Sequence, residues 1–96
     1  MKSINLASGC LKINGRLVLP NLAVVSAELD SVNMAEVVTV DLAGVSQVDS
    51  AGIALLLALQ QRSSAHFVLV HAPASLKTLL GLYNLTEMLP ITEETV

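Results

Sequence analysis

The chain has 96 residues, 53% hydrophobic, 14% charged and 2% aromatic, with a formal net charge of −3 at pH 7. Its Lys and Arg are scattered at positions 2, 12, 16, 62 and 77, so there is no basic stripe interleaved with aromatics to hold a nucleic acid. The longest nearly apolar run, residues 51–59, falls far short of the ~20 residues that a membrane-spanning helix needs, which speaks against direct membrane insertion.

A chain of this length reads as one domain, residues 1–96, whose folding buries roughly 60–70% of its surface. Its aliphatic content exceeds what one small core hides, so part of it is expected to face a partner. No basic segment and cleavage site precede an apolar stretch, which points away from export. Cys10 is the only cysteine; lacking a disulfide partner, it reads as a buried thiol in a cytoplasmic protein.

In chain order, Ile4–Ala7 and residues 10–13 are short β-like runs around Ser8-Gly9, a two-residue hairpin turn, and Asn14-Gly15 ends the second run. Leu19-Pro20-Asn21 opens a helix carrying Leu22, Val25, Leu29 and Val32 at helical spacing. Residues 37–42, β-branched and almost wholly apolar, predict a central strand covered on at least one face. After a short loop comes a helix over Ser50–Arg62, then a turn at 63–65 and a strand over 66–71. Pro73 starts a third helix with Leu76, Leu79, Leu80 and Tyr83 on one stripe, and Asn84 stops it. Residues 85–96 hold Glu87, Glu93 and Glu94, and Pro90 argues against another long helix. The order β-β-α-β-α-β-α predicts an α/β fold, a small mixed sheet with its helices mainly on one face.

The start of the second helix carries the chemistry. Asp49 or Ser50 supplies an acceptor for orphan N–H groups there, and the same positive end would stabilise a phosphate on Ser50. Gly52 lets another backbone or a bulky group come close. At about 100° per residue, the large aliphatics of this helix span roughly 200° of arc, wider than one core-facing stripe. Ser50, Ala54, Ala58 and Gln61 share the remaining sector with Arg62. That shallow face suits a docking element; an ordinary solvent face with two alanines would read the same.

At these residues the chain resembles the STAS domain family. Asp49-Ser50-Ala51-Gly52-Ile53 is similar to that family's Asp-Ser/Thr-small-Gly-Leu/Ile loop, which follows a Val/Ile-Asp-Leu strand, here Val40-Asp41-Leu42. One branch holds anti-sigma-factor antagonists, in which the serine matching Ser50 is the phospho-acceptor of a partner kinase. The other holds the small MlaB-like subunits of phospholipid-transport ABC complexes. The chain is more similar to the second, through Leu82-Tyr83-Asn84-Leu85, Leu89-Pro90 and its short ending. That resemblance implies a non-enzymatic cytoplasmic protein, held at the inner membrane by binding the MlaF-like ATPase subunit of a complex with a membrane permease. Asp49, Ser50, Gly52, Ala54, Ala58, Gln61 and Tyr83 would form the interface. The chain departs from the family at Gly15-Arg16-Leu17-Val18, where many members carry Gly-Glu-Leu-Asp.

Other chemistry finds little support. The only histidines, His66 and His71, flank one strand, nothing resembles a Gly-x-Ser-x-Gly elbow, and both read as strand-edge surface residues. One Cys and two His make no metal site, and the five glycines form no phosphate-cradling loop. No catalytic residue, metal or cofactor is therefore expected.

Overall fold

The computed structural model describes residues 4–92; Lys2, Glu93 and Glu94 lie outside them. Strand β1 (Ile4–Ala7) turns through Ser8 and Gly9 into β2 (Cys10–Leu17). Both turn residues have positive φ, 52° and 78°, as a type I′ hairpin requires. After β2 come a short 3-10 turn (Leu19–Asn21), α1 (Leu22–Leu29), a second 3-10 turn (Met34–Glu36), β3 (Thr39–Val48), α2 (Ser50–Arg62), β4 (Val68–Val70), α3 (Ala74–Leu82) and β5 (Ile91–Thr92). The sheet order is β1-β2-β3-β4-β5, with β1 antiparallel to β2 and every other pair parallel.

Each of the three crossovers advances one strand in the same direction, and right-handed crossovers then place α1, α2 and α3 on one face. Burial alternates accordingly. Leu11, Ile13, Val40, Leu42 and Leu69 are fully buried under the helices. Lys12 is exposed and Asp41 half-buried on the uncovered face. The helices close the same core with Val25, Leu29, Ile53, Leu56, Leu59, Leu76 and Leu80.

The structure corrects several sequence expectations. Asn14-Gly15 does not end β2, and β3 is not confined to 37–42. The two strands run on side by side to Leu17 and Val48, with register shifts beside Asn14 and Gly15. Asn14 pairs with Gly44, and its side chain occupies the space that a Cβ on Gly44 would need. Turn-forming residues facing one another are thus absorbed as irregularities in a continuing ladder. Conversely, β4 is shorter than 66–71: His66 and His71 both have φ of 56°, which takes them out of the pleat. The histidines are exposed, as expected, but beyond the strand ends. Strand β5, absent from the expected order, follows Pro90 and makes the α3 segment a third crossover. Cys10 is half-buried rather than buried, because it alternates with Leu11 and faces the uncovered side.

Two polar side chains of α2 tie its neighbours down. The Arg62 guanidinium donates to the Val32 carbonyl (2.9 Å) and reaches the Leu29 carbonyl at 3.4 Å, closing the end of α1. Gln60 is buried, and its Nε2 donates to the Phe67 (2.9 Å) and Met88 (2.8 Å) carbonyls. It thereby holds the approach to β4 beside the approach to β5. The end of α3 is closed by backbone alone: Asn84 (φ 56°) donates to Gly81 and Leu85 to Leu80, a Schellman arrangement with Asn in place of Gly.

Truncating Gln60 would leave two carbonyls unpaired over a cavity. Gln60→Ala is therefore expected to lower unfolding stability by about 2–4 kcal/mol in urea titration. Gly81→Ala should act in the opposite sense, since nothing lies within 4 Å of an added Cβ, and should gain up to ~1 kcal/mol from helix propensity.

Candidate functional site

The site forms where β2 and β3 end and α2 begins. Asp49 is the N-cap of α2: its extended backbone (φ −112°, ψ −174°) turns Oδ1 onto the Gly52 N–H at 2.9 Å. Its other oxygen, Oδ2, accepts from the Leu19 N–H at 3.1 Å, thirty residues away in sequence. The Asp49 N–H in turn donates to the Leu17 carbonyl at 3.2 Å. Hydrogen bonds from Gly52 and Leu19 outweigh desolvation and hold the Asp49 carboxyl below its ordinary value. One carboxylate therefore serves both as helix cap and as the latch on the chain leaving β2.

Gly52 lies under this latch. It is buried, and a Cβ there would run into the backbone carbonyl and the side chain of Leu17. The close approach that its glycine permits is thus made by the chain's own β2. Ser50, relieved of capping by Asp49, is exposed. Ala54, Ala58 and Gln61 are exposed with it, along one side of α2. The wide aliphatic arc of this helix is largely used within the fold. Ile53, Leu56 and Leu59 are buried, and Leu55 and Leu57 pack half-buried at the rim.

Tyr83 does not join Ser50. It follows α3 as its C-terminal cap residue and is 49% exposed, so it is no member of the core stripe, which ends at Leu80. Helices α2 and α3 run in the same direction across the sheet, and α2 is about 20 Å long at 1.5 Å per residue. Tyr83 therefore lies toward the Gln61 end of the layer, near Leu82 and Met88, which are 70% and 44% exposed. Sequence reasoning missed Leu19: it is 70% exposed, and the Asp49 latch fixes its backbone beside the start of α2. No local pattern signals that contact, because it bridges thirty residues.

On the uncovered sheet face a second polar group forms. His71 Nδ1 lies 3.0 Å from Asp41 Oδ1, which also accepts from the Ala43 N–H at 2.9 Å. Burial pushes the Asp41 carboxyl up, but the Ala43 bond, His71 and Lys12 together hold it below its ordinary value. Among the described residues no cluster of three or more His, Cys, Asp or Glu could hold a metal ion. No described helix is long and apolar enough to cross a membrane.

A carboxyl depressed in the folded state stabilises the fold above its unfolded value, ~3.9, and loses that effect as pH falls through the folded value. Asp49→Ala should therefore melt below wild type at neutral pH, and the gap should close in strong acid. Thermal melts of both proteins from pH 7 downward check this; a gap that persists unchanged would show that the carboxylate charge plays no part.

No curated protein matches the chain. A family model described as "Mlab, STAS domain" matches residues 1–90, which includes the sheet through β4, all three helices and the Asp49 junction. STAS domains are generally non-enzymatic modules of interaction or regulation. On that match, and with this arrangement of mostly parallel sheet and three helices, the chain belongs to the STAS domain family.

Proposed function

We propose that the protein is a non-enzymatic subunit that binds the cytoplasmic ATPase of a phospholipid-transport ABC complex, and stabilises or regulates it. The observation that carries this reading is the exposed side of α2. Ser50, Ala54, Ala58 and Gln61 are all uncharged and short or flexible, and the one charge on the helix, Arg62, is turned onto the end of α1. Covering such a face strips no ion of water, so its desolvation is cheap. The choice of an ATPase as the covering partner follows the resemblance to MlaB-like subunits; the matching family model is of the MlaB type and carries the STAS domain alone.

In this reading Ser50 and Ala54 form the centre of contact, Ala58 and Gln61 extend it, and exposed Leu19 supplies an apolar anchor at its edge. Asp49 and Gly52 act from beneath by fixing the start of α2. Tyr83, at the other end of the layer, reaches the partner only if the contact runs the length of α2. The protein would sit in the cytoplasm, held at the inner membrane by the ATPase and its permease.

Co-expression with the candidate ATPase, followed by affinity purification through either protein, tests the proposal. Wild type is expected to co-purify. Ala54→Arg and Ser50→Asp should each cut recovery by about tenfold or more, the equivalent of at least ~1.4 kcal/mol of binding, with circular dichroism unchanged. Ser50→Ala should do less, because it removes one hydroxyl and no cap. Undiminished recovery of Ala54→Arg would place the contact elsewhere, and a wild-type protein that never co-purifies would sink the reading. Intact mass after incubation with an anti-sigma kinase and ATP reads the competing role: a phosphate on Ser50 would point to a switch.

A further inference from the structure

We propose that the hollow between the end of β2 and the first turn of α1 binds a carboxylate carried on a short aliphatic arm. Gly15 and Arg16 line it from the strand, and Pro20, Asn21, Val24 and Val25 from the helix side. It lies where the β2–β3 ladder shifts register between Gly15 and Arg16, with Gly15 at a φ of 102°. Its volume is about 230 Å³, the share of roughly eight waters in the liquid. That suits one small molecule or one side chain.

The lining selects the ligand. Arg16 is the only charged group among the described residues that line the hollow. It is exposed, and among the described residues its guanidinium makes no hydrogen bond or ion pair. Arg62, by contrast, is turned onto the carbonyls that end α1, and Lys12 lies beside Asp41. Asn21 is half-buried and its side chain makes no capping bond, which leaves a second polar donor in the lining. Pro20 and Val24, both exposed, and buried Val25 supply an apolar wall. A cation would be repelled here, and a phosphate dianion would meet only one positive charge. A carboxylate matches both the single charge and the planar fork of an arginine, which takes two oxygens side by side. The wall then covers a short hydrocarbon arm behind it. A glutamate side chain of a partner and a free small acid share this chemistry. The site does not depend on which partner covers the α2 face.

The test titrates the whole 15N-labelled protein with sodium butyrate at constant ionic strength, and with neutral butanamide. Butyrate is expected to bind with Kd of about 10 mM or tighter and to shift the amides of residues 15–16 and 20–25. Butanamide should bind about tenfold more weakly, because it forfeits the charge-assisted bonds. Acetate, shorter by two methylenes, should lose about threefold or more. Arg16→Gln should erase the preference for butyrate over butanamide. Arg16→Lys keeps the charge without the fork and should fall between. The peptide Ac-Ala-Glu-Ala-NH2 separates the two sources: tighter binding than butyrate assigns the hollow to a partner's acidic side chain, weaker binding to a free acid. No shift at about 50 mM butyrate, several times the expected Kd, would overturn the proposal. So would equal binding of butanamide, shifts that survive Arg16→Gln, or NOEs from residues 1–3 to Val24 showing that the chain itself fills the hollow.

Discussion

The carboxylate of Asp49 joins parts of the chain that nothing else in sequence connects. One oxygen caps α2 through Gly52, and the other holds Leu19 at the exit of β2. Because Leu19 lies thirty residues before Asp49, the end of the sheet, the start of α2 and the lead into α1 become one unit. Gly52 makes that unit possible, since any side chain there would meet the Leu17 carbonyl. Ser50 gains its freedom from the same arrangement. With Asp49 performing the cap, the serine hydroxyl is not needed by the helix and can be offered outward.

The junction exists only because β2 and β3 are longer than their sequences suggest. Asn14-Gly15 is a turn signal in isolation, yet Asn14 pairs with Gly44 and Gly15 with Val45, and the ladder continues past them with register shifts on either side. Local pattern reading sees two strand ends; the pairing of one irregular strand with another lets both continue. The same limit explains the other misses. Strand β5 is two residues long and carries no periodicity. His66 and His71 lie in an apolar run, but their positive φ comes from the path of the chain and not from composition. Gln60 has no local signal of burial; its amide finds its partners only where Phe67 and Met88 are brought around it.

What was legible had a local cause. The bounds of α2 follow from Asp49 at its cap and the aliphatic repeat behind it, and the hairpin at Ser8-Gly9 from two residues tolerant of positive φ. The motif from Asp49 to Ile53 carried the family because it encodes a junction rather than a single element. Composition was a blunter guide. The aliphatic excess expected to face a partner is mostly absorbed by rim packing of Leu55, Leu57, Leu22 and Leu79 against the core. Among the described residues, the large apolar side chains that stay exposed are Leu19, Val24, Val38, Leu82, Tyr83 and Met88, the last three toward one end of the helix layer.

The distribution of charge separates the faces better than hydrophobicity does. The uncovered sheet face carries Lys12, Asp41 and His71, and Asp41 is already committed to the Ala43 N–H and to His71. A partner laid over that face would have to dehydrate these groups or re-pair them, a penalty that grows as the contact becomes drier. The exposed side of α2 demands no such exchange, because its only cation is spent on the carbonyls that end α1. An Arg62 pointing outward would have made the helix an ordinary solvent face. By closing α1 instead, it leaves Ser50, Ala54, Ala58 and Gln61 as an uncharged strip on which even one added charge would weigh heavily.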